Sequence, residues 1–134
     1  MTSYRQISLE TPKEGMLNIT KQLTQTITDS KIQNGLCVVH CPHTTAGLTI
    51  NENADPDVVR DMLYALGEIS PDRSGFCHME GNSPAHIKAS LMGASVTLIV
   101  REGRAVLGTW QGVYFCEFDG PRRRKLHIQV MGEK

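Results

Sequence analysis

The 134-residue sequence has no long apolar run and no excess of charge of one sign. A membrane-spanning helix needs roughly 20 consecutive apolar residues, and no stretch approaches that length. The 14 basic and 14 acidic side chains cancel, whereas sequence-independent nucleic-acid binding needs a positive surface. Because the N-terminus also lacks a basic-then-apolar signal pattern, we expect a cytoplasmic protein that binds neither membranes nor nucleic acid.

Short cysteine motifs and the usual nucleotide-binding motifs are also missing. The four cysteines, at positions 37, 41, 77 and 116, lack the C-x-x-C spacing of zinc ribbons and redox sites, so we expect free and mostly buried thiols. There is no G-x-x-x-x-G-K-[ST] loop, no G-x-G-x-x-G turn and no G-x-S-x-G elbow. A functional site in this chain therefore depends on polar residues outside these motifs.

Strand-like and helix-like segments follow one another irregularly within a single domain, residues 1–134. Apolar or alternating segments predict strands at 4–9, 16–19, 36–40, 46–51, 95–100, 105–107, 113–118 and 126–130. Helices are predicted after Thr20, Asp55-Pro56 and Ser83-Pro84, because small polar residues and proline are common at helix starts. Since there is no regular βαβ alternation, we predict an α+β fold with a largely antiparallel sheet and two or three helices.

The stretch 43–57, HTTAGLTINENADPD, places many polar acceptors at the end of a short apolar strand. Carboxylates and amides at a strand end can coordinate a cation, orient a histidine or accept a proton. Asp55 has an alternative structural role as the N-cap of the following helix. Capping does not explain Asn51 and Glu52, so we predict a polar pocket at this strand end.

Three histidines lie outside the predicted strands, at positions 43, 78 and 86. His86 falls in the first turn of a helix, which disfavours the imidazolium form and predicts a neutral ring. Three neutral imidazoles could converge on one divalent ion and leave a coordination position open. No H-x-H or H-E-x-x-H pair supports this reading, so structural roles in a loop and at a helix start are the alternative. His40 and His127, in strands, are predicted to be structural or surface residues.

Two further segments contain residues suited to ligand contact. Trp110, between glycines, could stack on a planar heterocycle while Gln111 reads its polar edge. The alternative for Trp110 is a core or subunit-interface anchor. The segment 119–124, DGPRRR, predicts a hairpin turn followed by three arginines that alternate in direction. One or two of them could share a site, where Arg124 would bind phosphate, and a solvated turn is the alternative.

Five stretches together resemble the YjbQ-like family, which has long been uncharacterised. They are 43–49 HTTAGLT, 51–57 NENADPD, 81–88 GNSPAHIK, 107–112 LGTWQG and 119–124 DGPRRR, and they span nearly the whole chain in order. The resemblance implies a compact fold with a barrel-like sheet, assembled as a homotrimer. It also implies a secondary thiamine-phosphate synthase activity, which joins a pyrimidine pyrophosphate to a thiazole phosphate and releases pyrophosphate.

The resemblance also implies roles for individual residues. The expected catalytic residues are Glu52, Asp55 and His86, and the expected ligands of a divalent ion, zinc or magnesium, are His43, His78 and His86. The expected substrate contacts are Asn51, Asn82, Trp110, Gln111 and Arg124. Two other functions stay open. One is a metal-dependent hydrolase of a phosphorylated metabolite, with Glu52 as base for a bound water. The other is a non-catalytic trimer that binds a small ligand.

Overall fold

The computed structural model describes residues 1–134, which form eight strands and three helices. The strands are β1 (Thr2–Glu10), β2 (Gly15–Asn18), β3 (Asn34–His40), β4 (Ala46–Glu52), β5 (Ser95–Arg101), β6 (Arg104–Ala105), β7 (Gln111–Glu117) and β8 (Arg123–Glu133). The helices are α1 (Thr20–Ser30), α2 (Pro56–Ile69) and α3 (Ser83–Met92). Each predicted strand overlaps an observed one and every pair is antiparallel, so the predicted α+β fold is confirmed.

The strands form two sheets that enclose the main hydrophobic core. One sheet has the order β1-β8-β3-β5-β6 and the other β2-β7-β4, and together they curl into a half-barrel. The core combines Leu126 of the larger sheet, Phe115 of the smaller sheet and Leu23 of α1, none of them more than 1% exposed. Burial of such a side chain stabilises the fold by about 1.5–3 kcal/mol. The core therefore couples both sheets to α1.

The segment predicted to be a hairpin turn, Asp119–Pro121, is instead a crossover between the two sheets. The prediction was wrong because β2 and β4 already occupy both edges of β7, so β8 cannot pair with it. Bonds to the β1–β2 connection hold the crossover: the Thr11 N–H donates to the Arg122 carbonyl at 2.9 Å, and the Gly120 N–H to that of Lys13 at 2.8 Å. The crossover carries the arginines past the start of β4.

The helix starts follow the predicted pattern in one of three cases. Asp55 caps α2, because its side chain accepts a hydrogen bond from the backbone N–H two residues on at 2.9 Å. Thr20 and Ser83, the caps predicted for the other helices, are instead their first helical residues, and neither helix has a side-chain cap bond. Asn82, before α3, donates to Asp119 Oδ2 at 2.7 Å and ties α3 to the crossover. None of the helices has the length and apolar character that a membrane crossing requires.

Gly47 allows α3 to approach β4 closely. An added Cβ would lie 2.8 Å from the Gly93 carbonyl oxygen and 3.0 Å from Met92 Cβ. Gly47→Ala is therefore expected to lower the free energy of unfolding by about 1–3 kcal/mol, measured by urea denaturation. Gly67→Ala is the matched control, since nothing lies within 4 Å of its added Cβ in α2, and it should stabilise by about 0.5–1 kcal/mol. An unchanged stability for Gly47→Ala would contradict this packing.

Candidate functional site

A polar cavity of about 350 Å³ opens where the β3–β4 connection, the start of α3 and the start of β8 meet. Its lining includes no hydrophobic residue. The lining residues are Pro42, His43, Thr44, Thr45, His78, Glu80, Asn82, His86, Arg122 and Arg124. The structure therefore brings together the three histidines, the asparagine of the 81–88 stretch and one arginine that the sequence had singled out.

Arg124 is the buried cation of this cavity, with 3% of its surface exposed. Its Nε donates to Glu117 Oε1 at 2.7 Å, and its Nη2 donates to Glu117 Oε2 and to Thr45 Oγ1. These bonds use Nε and Nη2 and fix the plane of the guanidinium. Nη1 has no hydrogen-bond partner within the chain and keeps some contact with solvent, so it is the nitrogen left for a ligand in the cavity.

Glu117 holds Arg124 in place through a saturated set of hydrogen bonds. Besides the guanidinium, its carboxylate accepts from Thr11 Oγ1 at 2.6 Å and from the Asp119 N–H at 3.0 Å. Burial opposes ionisation of Glu117, but the hydrogen bonds from Arg124 and Thr11 outweigh it and hold the pKa of Glu117 below its usual value. The cavity thus rests on a buried ion pair in which every hydrogen-bonding position of the carboxylate is filled.

His43 is anchored to the backbone of Lys125. His43 Nε2 lies 2.9 Å from the Lys125 backbone nitrogen and 3.1 Å from the Lys125 carbonyl oxygen, so it accepts from the amide in one tautomer and donates to the carbonyl in the other. The bond extends the hydrogen bonding of β8 beyond the point where β3 leaves it. Burial, followed by the positive charge of Arg124, lowers the pKa of His43. The contacts with Lys125 therefore fix the position of the His43 ring in the cavity.

His78 and His86 form an edge-to-face pair in the cavity. Their ring centroids are 5.4 Å apart and the planes meet at 86°. His78 Nε2 is 3.9 Å from Glu80 Oε1, and His86 has no hydrogen bond from its ring within the chain. Both imidazoles are thus free to bind a ligand or transfer a proton.

Asn82 contributes a buried acceptor to the same cavity. Its Nδ2 donates to Asp119 Oδ2 at 2.7 Å, which fixes the orientation of the amide. Its Oδ1 is buried and has no hydrogen-bond partner within the chain. Leaving such an acceptor unpaired costs about 1–3 kcal/mol.

The polar residues of the predicted strand-end pocket lie at the opposite end of β4. Asn51 and Glu52 pair with Gly112 and Gln111, whereas Ala46 pairs with Glu117 beside the polar cavity. A strand of this length separates the two ends by roughly 20 Å. Within a single chain Asn51 and Glu52 therefore lie away from the polar cavity, because His43 precedes β4 and Glu52 ends it.

Local hydrogen bonds account for part of that polar cluster. Asn51 Oδ1 accepts from the Glu52 N–H at 2.7 Å, and Gln111 Oε1 accepts from the Gly108 N–H at 2.8 Å. Trp110 is 63% exposed and lines no cavity of the chain. The catalytic roles of Glu52 and Asp55 and the substrate contacts of this cluster stay predictions.

Comparison with known proteins places the whole chain in one group. The model of the family described as UPF0047 protein YjbQ-like matches residues 5–133. The chain belongs to the YjbQ-like family. This YjbQ-like chain is 51% identical to YugU of Bacillus subtilis over 127 residues, which cover 91% of the chain and 93% of YugU. It is 49% identical over 122 residues to MJ1081 of Methanocaldococcus jannaschii, covering 91% of the chain and 88% of that protein.

Solved structures of YjbQ-like proteins share the fold. An uncharacterised YjbQ/UPF0047 protein of Clostridium acetobutylicum is 50% identical and superimposes with a TM-score of 0.92, covering 95% of this chain and 99% of that one. A protein of unknown function from Sulfolobus solfataricus is 31% identical with a TM-score of 0.94, covering 99% of both chains. The resemblance read from the sequence motifs is therefore confirmed for family and fold.

The YjbQ-like histidines do not form a metal site within one chain. No group of three His, Cys, Asp or Glu side chains is placed to hold a metal ion. The imidazoles of His78 and His86 lie side by side, but the structure brings no third metal-binding side chain to them, whereas a zinc site takes at least three protein ligands. The predicted zinc or magnesium ion stays a prediction that the donor geometry of a single subunit does not support.

Sequence reasoning missed two residues that build the YjbQ-like cavity. Glu117 was read only as part of an apolar strand, although a carboxylate inside a run of buried residues is rare unless it is paired. Arg124, seven positions later, could have indicated the partner of this carboxylate. Thr11 carries no such signal, because its contact with Glu117 joins residues 106 positions apart.

Proposed function

We propose that this chain is a small enzyme that binds a phosphorylated metabolite in the polar cavity. The observation that carries the proposal is the unbonded Nη1 of a fixed, buried Arg124 in a cavity with two unbonded imidazoles. A guanidinium matches the charge and geometry of a phosphate group. The neighbouring imidazoles of His78 and His86 supply donors and a route for proton transfer.

The specific reaction proposed is thiamine-phosphate synthesis, as a secondary activity. The bond between the pyrimidine methylene carbon and the pyrophosphate oxygen breaks, and its electron pair leaves with pyrophosphate. The thiazole nitrogen then forms the new bond to that carbon. Arg124 would stabilise the charge that develops on the leaving pyrophosphate, and His86 would donate a proton to it. Donors fixed before the reaction are effective because they need no reorganisation.

A synthase assay tests this proposal against the two alternatives. The purified protein is incubated with both precursors, and thiamine phosphate and pyrophosphate are quantified. One pyrophosphate released for each thiamine phosphate formed would support it. Hydrolysis of either precursor alone, without coupling, would favour a phosphate-ester hydrolase acting in the same cavity. Absence of both reactions would contradict an enzymatic role on these substrates and favour a ligand-binding protein.

The family resemblance implies a homotrimer, and a separate observation supports association of subunits, namely the outer face of the five-stranded sheet. No helix covers this face, where Leu36 pairs with Ile99 and Met131 on neighbouring strands. Leu36 is 41% and Ile99 56% exposed, which is unfavourable for adjacent apolar side chains in water. Association would bury them. Light scattering after size exclusion should give three times the 14.8 kDa chain mass, and a monomeric mass would contradict the trimer.

A further inference from the structure

A second cavity, of about 500 Å³, adjoins the polar one. His43, Thr44 and His86 line both cavities, so the two form one cleft. Apart from these three, the second cavity is lined by Ala46, Ala89, Ser90, Gly93 and Ala94. The cleft therefore has a polar end at Arg124 and an end of small, largely apolar residues, with His86 at the boundary.

The apolar end is bounded by backbone that hydrogen bonds hold in place. The Leu48 N–H donates to the Gly93 carbonyl at 2.9 Å, and the Cys41 N–H donates to the Ala94 carbonyl at 2.7 Å. These two bonds attach the turn after α3 to β4 on one side and to the end of β3 on the other. Because the walls are fixed backbone and short side chains, the space is preformed and does not depend on flexible side chains.

The chemistry of the apolar end discriminates between classes of phosphorylated ligand. Its alanines and glycine offer no side-chain hydrogen bonds, and the Ser90 hydroxyl already donates to the His86 carbonyl at 3.0 Å. Sugar hydroxyls placed there would lose hydrogen bonds to water, and only Thr44 and the two histidines at the boundary could replace them. A flat ring would instead lose only its contact with water, which is favourable.

We propose that the apolar end binds a planar ring and that the ligands of this cleft are phosphate esters of such rings. The inference rests on the proposed function, because it assumes that the phosphate lies at Arg124. In this arrangement His86 lies between the phosphate and the ring, where a bond to the phosphate group would be broken. The ring is held by Ala89 and Ala94, and it does not require Trp110, which lies outside the cleft.

The test compares the binding of phenyl phosphate and methyl phosphate by isothermal titration calorimetry. The two probes share the phosphate and differ in the ring. The wild-type protein is expected to bind phenyl phosphate about tenfold more tightly, since burying part of one ring contributes on that scale. Ala94 and Ser90 are both exposed, so Ala94→Leu and Ser90→Leu should fill the apolar end without disturbing the core. Each should abolish the preference and leave methyl phosphate affinity within about twofold.

Ala65→Leu, on the exposed surface of α2, is the matched control and should keep the full preference. Thermal denaturation of each variant checks that the fold is retained. Equal binding of the two phosphates by the wild type would overturn the proposed ring site at the apolar end, but it would not contradict the phosphate site at Arg124. A preference that survives both leucine variants would also overturn the ring site. If neither phosphate binds, the phosphate site itself fails and both proposals fall.

Discussion

Glu117→Met should lower the free energy of unfolding by about 3–5 kcal/mol, measured by urea denaturation at pH 7. The glutamate side chain is fully buried, and its removal leaves the guanidinium of Arg124 without its counter-charge in a site that is 4% exposed. Methionine has a similar volume, so the loss reflects the unpaired charge and not a cavity. Arg60→Ala removes an exposed ion pair with Asp57, and as a control it should cost less than about 1 kcal/mol.

The double substitution Glu117→Met with Arg124→Met separates stability from ligand binding. Replacing both members of a buried pair by apolar residues of similar volume is often neutral, so most of the lost stability should return. Phosphate binding should not return, because Nη1 of Arg124 is gone. A double variant that is stable and still binds phenyl phosphate would contradict the role of Arg124. A Glu117→Met variant as stable as Arg60→Ala would contradict the claim that the buried ion pair with Glu117 holds Arg124 in place.

Acid denaturation gives a second measure of the same ion pair. The pKa of Glu117 lies below its ordinary value of 4.5 in the folded chain, because the hydrogen bonds it accepts outweigh the effect of burial. The unfolded chain therefore takes up this proton first as the pH falls, so the stabilisation is present above about 4.5 and is lost below it. The double variant lacks this carboxylate and should lose less stability over that pH range.

The elements of the fold could be predicted because their signals are local. Period-two burial in β8 and the Asp55-Pro56 start of α2 each depend on a few neighbouring residues. The crossover at Asp119–Pro121 could not be predicted in the same way. Its residues indicate a turn, but which strands pair depends on β2 and β4 having occupied both edges of β7. Sheet partners are decided by distant segments that no short motif contains.

The candidate site was predicted in part for the same reason. His43, His78 and His86 come from three segments, and the motifs around them were sufficient to group them. Glu52 was grouped with them because it is close in sequence, and the length of β4 then separates it from the cavity. Because β4 is extended, the few residues between His43 and Glu52 correspond to a long distance in space. The motifs of a family therefore identify candidate functional residues, but they do not show which of these residues share a site.

His86→Ala should lower the turnover of thiamine-phosphate synthesis by about 10²–10⁴-fold, with a smaller change in KM. His86 lines both halves of the cleft and its ring has no partner within the chain, so its removal takes away the proton donor for the leaving pyrophosphate. Arg124 stays in place and continues to bind the phosphate group. The measurement is the steady-state rate of thiamine phosphate formation with both precursors varied. Arg60→Ala, on the exposed surface of α2, is the control and should keep full activity.

The Glu52→Gln variant shows at which end of β4 the reaction takes place. If the reaction takes place in the cleft, this substitution should leave turnover unchanged. Glu52 lies at the far end of β4, roughly 20 Å from the end beside Arg124. A loss in Glu52→Gln equal to that in His86→Ala would place the carboxylate in the reaction after all. Within a trimer that result would require the far end of one subunit's β4 to meet the cleft of its neighbour. Full activity in His86→Ala would instead remove this imidazole from the mechanism and leave Arg124 and His78 as the groups placed to act on the leaving pyrophosphate.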